Sequence, residues 1–295
     1  MIKNQNHLGA VYMIMSVLFF SFMDILIKVT DEYDVGQIMF FRALFGLIPI
    51  FFLIPKNRIK NFYKTKNIKL HFFRSFFGAI AMAAIFIGLR NLQLAEVTAL
   101  AFSAPLWVVL FSIFFLSEKI RLKRWIAVGL GFIGVVIISK PGFDNLNFYY
   151  IYPIIFCLGL SYVAIAIRQL STTEPVWLIS LNFSVAITLV SFFTIPFGWI
   201  MPRIEDLALL CMIGILGGFA NLWLSQSFKL SEVSLVSPLK YLALVFGIIF
   251  GYLIWDEVPS IKTLLGALLV VASSLIILKR EIYYKEKIPS TTRYE

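Results

Sequence analysis

Charge is scarce in this sequence. Of its 295 residues 14% are Asp, Glu, Lys or Arg, against roughly a quarter in an ordinary soluble chain. Hydrophobic residues make up 60% and the mean hydropathy is +0.89. One globular core cannot hold that many apolar side chains, so lipid must solvate a share of them. Cysteine is almost absent. Cys157 and Cys211 both fall inside apolar runs and read as buried thiols without a disulfide or a metal. The only histidines, His7 and His71, sit where the apolar runs begin. With no Cys/His cluster, no Gly-rich phosphate loop and no nucleophile elbow, no metal, cofactor or catalytic residue is expected. The first apolar run lacks a small-residue cleavage pattern and continues to full span length, so it reads as a span and not as a signal peptide. The net charge of +10 does not point to nucleic acid, because the basic residues gather in loops between apolar runs, where they orient a chain in a membrane.

What the sequence has instead is long apolar runs. At about 20 residues per crossing they make ten spans: Leu8–Val29, Val35–Pro55, Phe72–Leu89, Leu94–Glu118, Trp125–Ser139, Tyr149–Ile167, Val176–Phe197, Leu207–Phe228, Leu230–Glu257 and Ile261–Leu278. Helices are expected throughout, since only helices and closed barrels satisfy the backbone in lipid, and these runs are too long for barrel strands. The fold class is therefore all-α integral membrane.

The fourth and ninth runs repeat each other. LAEVTALAFSAPLWVVLFSIFFLSE, from Leu94 to Glu118, and LSEVSLVSPLKYLALVFGIIFGYLIWDE, from Leu230 to Glu257, both start at an acid (Glu96, Glu232). Each carries an internal proline (Pro105, Pro238) and ends at an acid (Glu118, Glu257). Ser21 and Lys28 match Ser161 and Arg168 at a separation of 140, Arg42 matches Asn182 at the same separation, and Lys140 matches Lys279. The chain thus divides into residues 8–140, residues 149–279 and a tail, 280–295, expected to be mobile beyond Tyr284. Five spans is an odd number, so the second half enters the membrane from the opposite side. The loop after span 4 is the basic KIRLKR and its counterpart after span 9 is DEVPSIK. An inverted repeat of this kind rocks about a site near the midplane to give alternating access. The N-terminus, the basic loops and the basic tail fall on one side, which places both termini in the cytoplasm.

The pattern resembles the drug/metabolite transporter superfamily, EamA type. The resemblance rests on FFRALFG in span 2, on FLSEKIRLKRWIAVGLGFIGVVIISKPG at the end of the first half and on YLIWDEVPSIKTLLGALLVVASSLIILKRE in the second. It covers Leu8 to Glu281 and implies a ten-span carrier with spans 1 to 4 and 6 to 9 around the pathway and spans 5 and 10 packed at the ends. SPLKYLALVFG in span 9 resembles a subgroup that includes S-adenosylmethionine uptake carriers.

Charges inside spans are the candidates for a substrate site. Asp24 lies past the midplane of span 1, one turn before Lys28. It reads either as half of a local i,i+4 pair or as a cavity acid for an amine or a proton. Arg42 in span 2 reads as an ion pair with Asp24 or with the acidic loop Asp31–Asp34, or as a direct substrate contact. Lys240 lies about 12 Å into span 9 at 1.5 Å per residue, next to Pro238, which removes a backbone hydrogen bond. It either snorkels to the edge or faces the cavity with Asp24 as a partner. Ser103, Trp107, Tyr162, Asn182, Asn221, Trp223 and Tyr241 are the further polar or aromatic residues from which the cavity lining is drawn. Glu96, Glu118, Glu232 and Glu257 read as helix-end caps, and the glycines of spans 5 and 8 as close-packing sites.

The expected function is secondary-active transport of a small polar or zwitterionic metabolite across a bacterial cytoplasmic membrane, by a monomer or homodimer. Uptake, with S-adenosylmethionine as a possible substrate, and export both remain open. A Phe-, Ile-, Lys- and Asn-rich composition, as from an AT-rich genome, tilts the reading towards uptake. A membrane-embedded enzyme needs a clustered acid/base or metal set that the sequence lacks. A channel needs polar rings supplied by an oligomer, which a duplicated single chain does not suggest.

Overall fold

The computed structural model describes residues 2–53, 65, 67–104, 106–107, 110–111, 122–139, 147–170, 173–230 and 237–287. Pro105, Glu118, Lys119, Arg121, Lys140, Glu232, most of the first basic loop and the last eight residues lie outside them, as do the side chains of Arg168 and Pro238.

Ten α-helices run through the described residues, and no strand does. They are α1 (Ile2–Val29), α2 (Val35–Leu53), α3 (Ile68–Asn91), α4 (Leu94–Ala101), α5 (Leu122–Ser139), α6 (Ile151–Leu170), α7 (Val176–Phe192), α8 (Ile204–Leu230), α9 (Leu242–Trp255) and α10 (Ile261–Lys287). Five stretches within α1, α2, α3, α6 and α8 are long and apolar enough to cross a membrane, and the helical stretches Trp125–Ser139, Trp177–Phe192, Leu239–Trp255 and Ile261–Ile276 are shorter but equally apolar in character. Phe52, Phe72, Leu253 and Leu268 are among the many large apolar side chains left exposed. In water these would be a liability; against acyl chains they are at home.

Two boundaries differ from the sequence reading. The seventh span does not run on to Phe197: α7 stops at Phe192, and a 3-10 turn, Ile195–Phe197, follows with Gly198 at φ 118° behind it. The apolar character of that stretch concealed the stop. The tail is helical as far as Lys287, three residues beyond the point where mobility was expected.

The packing has a pairwise order. α1 lies along α8 as α3 lies along α6; α5 packs on α10; α4 meets α9; α2 meets α7. Adding or subtracting five turns the α1–α8 pair into the α6–α3 pair and exchanges the members of the other three. The two halves are not equal throughout: α2 lies along α8 over much more of its length than α7 lies along α3.

The α5–α10 contact depends on two glycines meeting face to face. A Cβ on Gly134 would come within 2.7 Å of the Gly266 carbonyl oxygen, and one on Gly266 within 2.7 Å of the Gly134 carbonyl oxygen. Both obstacles are backbone, which cannot rotate aside. Overpacking typically costs about 1–3 kcal/mol, and Gly134→Leu should sit at or above the top of that range. The expected result is loss of the monodisperse peak in size-exclusion chromatography of the detergent-solubilised protein, with Gly129→Leu, where a Cβ meets nothing within 4 Å, unaffected.

At the end of the bundle where α1 turns into α2, polar side chains tie the helices together. Tyr33 donates its hydroxyl to Asp206 Oδ2 at 2.7 Å. This hydrogen bond, more than any other cause, raises the phenol above its ordinary value of 10.0. The link therefore persists through neutral pH and is lost only as alkali ionises the phenol. Gln37 bonds Ile200 O at 2.8 Å, and Arg90 reaches the carbonyls of Tyr33, at 3.0 Å, and of Asp31. Towards the start of α3, His71 Nε2 meets Glu174 Oε2 at 2.6 Å, both residues buried. His71, in the first turn of α3, is buried because Glu174 in the α6–α7 turn provides its partner.

Candidate functional site

The two broken helices meet. In the first, α4 ends at Ala101 and the residues after it turn. Such a break leaves carbonyls without helical donors, and α6 provides replacements: the Cys157 thiol reaches Leu100 O at 3.4 Å, and the Ser161 hydroxyl donates to Ala104 O at 3.1 Å. In the second, the 3-10 turn Ser237–Tyr241 leads into α9. Tyr241 stands edge-on to Phe102, ring centroids 4.9 Å apart, so the two interruptions face one another. Lys240 is in the same 3-10 turn, partly buried. That turn packs on α1, where Met13 and Val17 are covered by Leu239 and Leu242.

Further along α1 is Asp24, partly buried, with no hydrogen bond or ion pair among the described residues. The charge that reaches it is that of Arg42 on α2. Arg42 lies beside Gly217 of α8, and its Nε is buried with no hydrogen-bond partner. The two opposite charges thus attract across a gap without closing it. Of the partners the sequence offered, Arg42 is the one that acts on Asp24. Lys28 turns away from Asp24 to Glu257, and Asp34 accepts the Gly36 N–H at 2.7 Å instead of meeting Arg42.

The remaining candidates are more dispersed. Ser103 is fully buried and its hydroxyl donates to Cys157 Sγ at 3.4 Å. Trp107 stands edge-on to Phe132 of α5 at 4.8 Å, with its indole N–H buried and unpartnered. Tyr162 tilts against Phe77 of α3 at 4.4 Å. Asn182 and Asn221 each donate to a carbonyl one turn back in their own helix, Leu178 and Gly217. Trp223 meets the edge of Phe19 at 4.4 Å. So Asp24 is brought to Arg42, and Tyr241 to the Ser103 turn, while Trp107, Tyr162 and Trp223 pack at helix contacts.

One charged residue was passed over. Arg74 stands near the start of α3, where an arginine reads as an interfacial anchor, yet it is only 7% exposed. Glu257, read as a helix-end cap, is a cap for a different helix: it accepts the Leu94 N–H of α4 at 2.9 Å and pairs with Lys28. Glu96 is buried, accepting from Tyr150 at 2.7 Å and Thr263 at 3.2 Å. No sequence spacing links such distant partners. No group of His, Cys, Asp and Glu able to hold a metal occurs among the described residues.

Comparison with known proteins completes the description. The EamA-like transporter family matches residues 7–140 and again 147–279. A protein of Rickettsia felis named S-adenosylmethionine uptake transporter is 29% identical over 264 residues, covering 88% of this chain and 86% of its own. A pseudopaline exporter of Pseudomonas aeruginosa is 27% identical over 276 residues, covering 90% and 94%. A solved crystal structure covers 93% of this chain and 98% of its own with a TM-score of 0.64; at 18% identity it shows a likeness of fold alone.

Proposed function

The chain belongs to the EamA-like transporter family, a ten-span membrane fold of transporters and not of enzymes, and we propose that it is a secondary carrier of a small zwitterionic metabolite with an amino-acid head group. The observation that carries this reading is the separated pair Asp24 and Arg42, oppositely charged, partly buried in the helix bundle, with the Arg42 Nε left without a hydrogen-bond partner. Charges in a span are costly unless matched. A substrate ammonium at Asp24 and a carboxylate facing Arg42 match both. Lys240, in the break before α9, completes the charged lining.

Alternating access of two inverted halves, 8–140 and 149–279, is the mechanism. The exchange of helix pairs under addition of five supports it. So does the unequal relation between α2–α8 and α7–α3, since rocking makes one such contact at the expense of its counterpart. The excess of Lys and Arg on one side supports a bacterial inner-membrane orientation with both termini in the cytoplasm. Among zwitterions, S-adenosylmethionine is the substrate to try first, taken up by a relative that covers most of the chain. Export is the second reading, favoured by the pseudopaline exporter.

The test is uptake of labelled S-adenosylmethionine into cells expressing the chain, with excess amino acids as competitors. Saturable uptake above that of empty cells is expected. A well-expressed chain that gives none, in cells or in proteoliposomes, removes this substrate and direction and leaves export.

A further inference from the structure

Arg74 has no use in the reading above, and the structure does not treat it as an anchor. It is the seventh residue of α3, one turn past His71. Its guanidinium carbon lies 3.7 Å from the centre of the Phe183 ring on α7. Gly78, one turn further on, permits this: a Cβ there would fall 2.6 Å from Phe183 Cε2. The ring can therefore lie close against α3 with the guanidinium over its face. This is a built position, held from two helices.

Held there, Arg74 is poorly satisfied. Its Nε and Nη1 are buried with no hydrogen-bond partner. A guanidinium keeps its charge in a protein, and an aromatic face returns only part of the hydration that burial removes. Arg74 feels the charge of Arg42, another cation. The acids that might have answered it are engaged elsewhere: Glu174 with His71 and Thr65, Glu96 with Tyr150, Glu257 with Lys28. Asp24 interacts with Arg42. The interior around α1, α2 and α3 thus holds two arginines against one aspartate, with guanidinium donors left over on both arginines.

We infer that Arg74, laid on Phe183, is a second carboxylate-binding residue of the transport pathway, acting with Arg42. The inference rests on the carrier reading and narrows it: the substrate must bear a carboxylate, and an amine alone is not enough. A planar, multidentate cation suits a planar carboxylate better than a point charge does, so lysine cannot fully replace it.

The experiment compares labelled S-adenosylmethionine with its decarboxylated form, which keeps the sulfonium and amine, on the full chain in proteoliposomes. In parallel, thermal melting of the purified chain is followed with glutamate, malate and citrate. Wild type is expected to prefer the carboxylated probe by at least about tenfold, the scale of one charge-assisted hydrogen bond, and to melt higher with carboxylates. Arg74→Gln should lose both effects, Arg74→Lys should regain part, and Phe183→Leu should fall between. If Arg74→Gln accumulates poorly, Arg74→Lys and Phe183→Leu decide the matter through the same discrimination ratio. Discrimination and carboxylate stabilisation unchanged in these variants, or absent from wild type for every carboxylate, would overturn the inference. No transport of S-adenosylmethionine, with carboxylate stabilisation present in wild type and lost in Arg74→Gln, would remove that substrate and leave Arg74 standing.

Discussion

Asp24→Asn and Arg42→Gln should each cut transport steeply while leaving the amount of folded protein in the membrane unchanged. Each removes one charge from a pair that attracts across a gap. A hydrogen bond to a charged group contributes about 1.5–3 kcal/mol, which corresponds to roughly 10- to 150-fold in affinity. The double variant discriminates between two roles. If the pair exists only to neutralise itself, removing both charges together repairs what either single change broke. If each charge meets its own group on the substrate, the double variant is worse than either single one. The second outcome is expected, measured as initial rates at several substrate concentrations so that a rise in KM is separated from a fall in maximal rate. Recovery in the double variant would demote the pair to a structural lock.

The second large effect concerns stability. Lys28 and Glu257 have side chains 9% and 17% exposed. Lys28 Nζ also donates to Leu92 O at 2.8 Å and lies 4.9 Å from the centre of the Trp255 ring. Glu257 Oε2 accepts the Leu94 N–H at 2.9 Å, so one carboxylate answers both a buried cation and the first turn of α4. Glu257→Leu strips an acceptor from each. Breaking a buried pair by removing one member costs about 3–5 kcal/mol, and here an unsatisfied helix-terminal N–H adds to it. The melting temperature in detergent should drop sharply. Lys28→Met combined with Glu257→Leu should recover most of the loss, because the stranded charge is gone; the Leu94 N–H remains unpaired, so recovery is incomplete. A double variant as unstable as Glu257→Leu alone would mean that the cap, and not the ion pair, is what matters.

Much of the helix pattern was legible because lipid imposes it. The starts of α2, α7 and α10 and the ends of α1 and α5 coincide with the expected spans. The interruption before α9 lies at Pro238, as a missing N–H requires. Rotation about the helix axis was not legible. A span solvated by lipid is apolar on every side, so the periodicity that reveals the inward face of a soluble helix is weak. That is why Trp107 and Trp223 had to be carried as cavity candidates along with Asp24. It is also why Arg74 was not among the candidates. Its height along α3 follows from counting; that it faces Phe183 follows only from where α7 stands. The partnership of Lys28 with Glu257 spans 229 positions, and an equally reasonable partner, Asp24, was four residues away. Proximity in sequence could not choose between them; the carboxylate that completes α4's first turn directly follows Asp256, a rare non-glycine residue at positive φ (53°).

The long reach of these bonds bears on how the chain is made. Helices leave the ribosome in order, and α1 enters the membrane long before α8 or α9 exists. Until then Lys28 has no Glu257. The Ser16 hydroxyl has no Ala220 carbonyl to bond, and the Gly9 carbonyl has no Ser227 hydroxyl, although both serine contacts are buried in the finished protein at 2.7 Å. The newborn first half must therefore wait, incompletely satisfied, in contact with the insertion machinery or with water at the bilayer edge. The same bonds that close the mature bundle make its first helix among the last to settle. A chain interrupted between the halves should leave the first half open to degradation unless the second is made in the same cell.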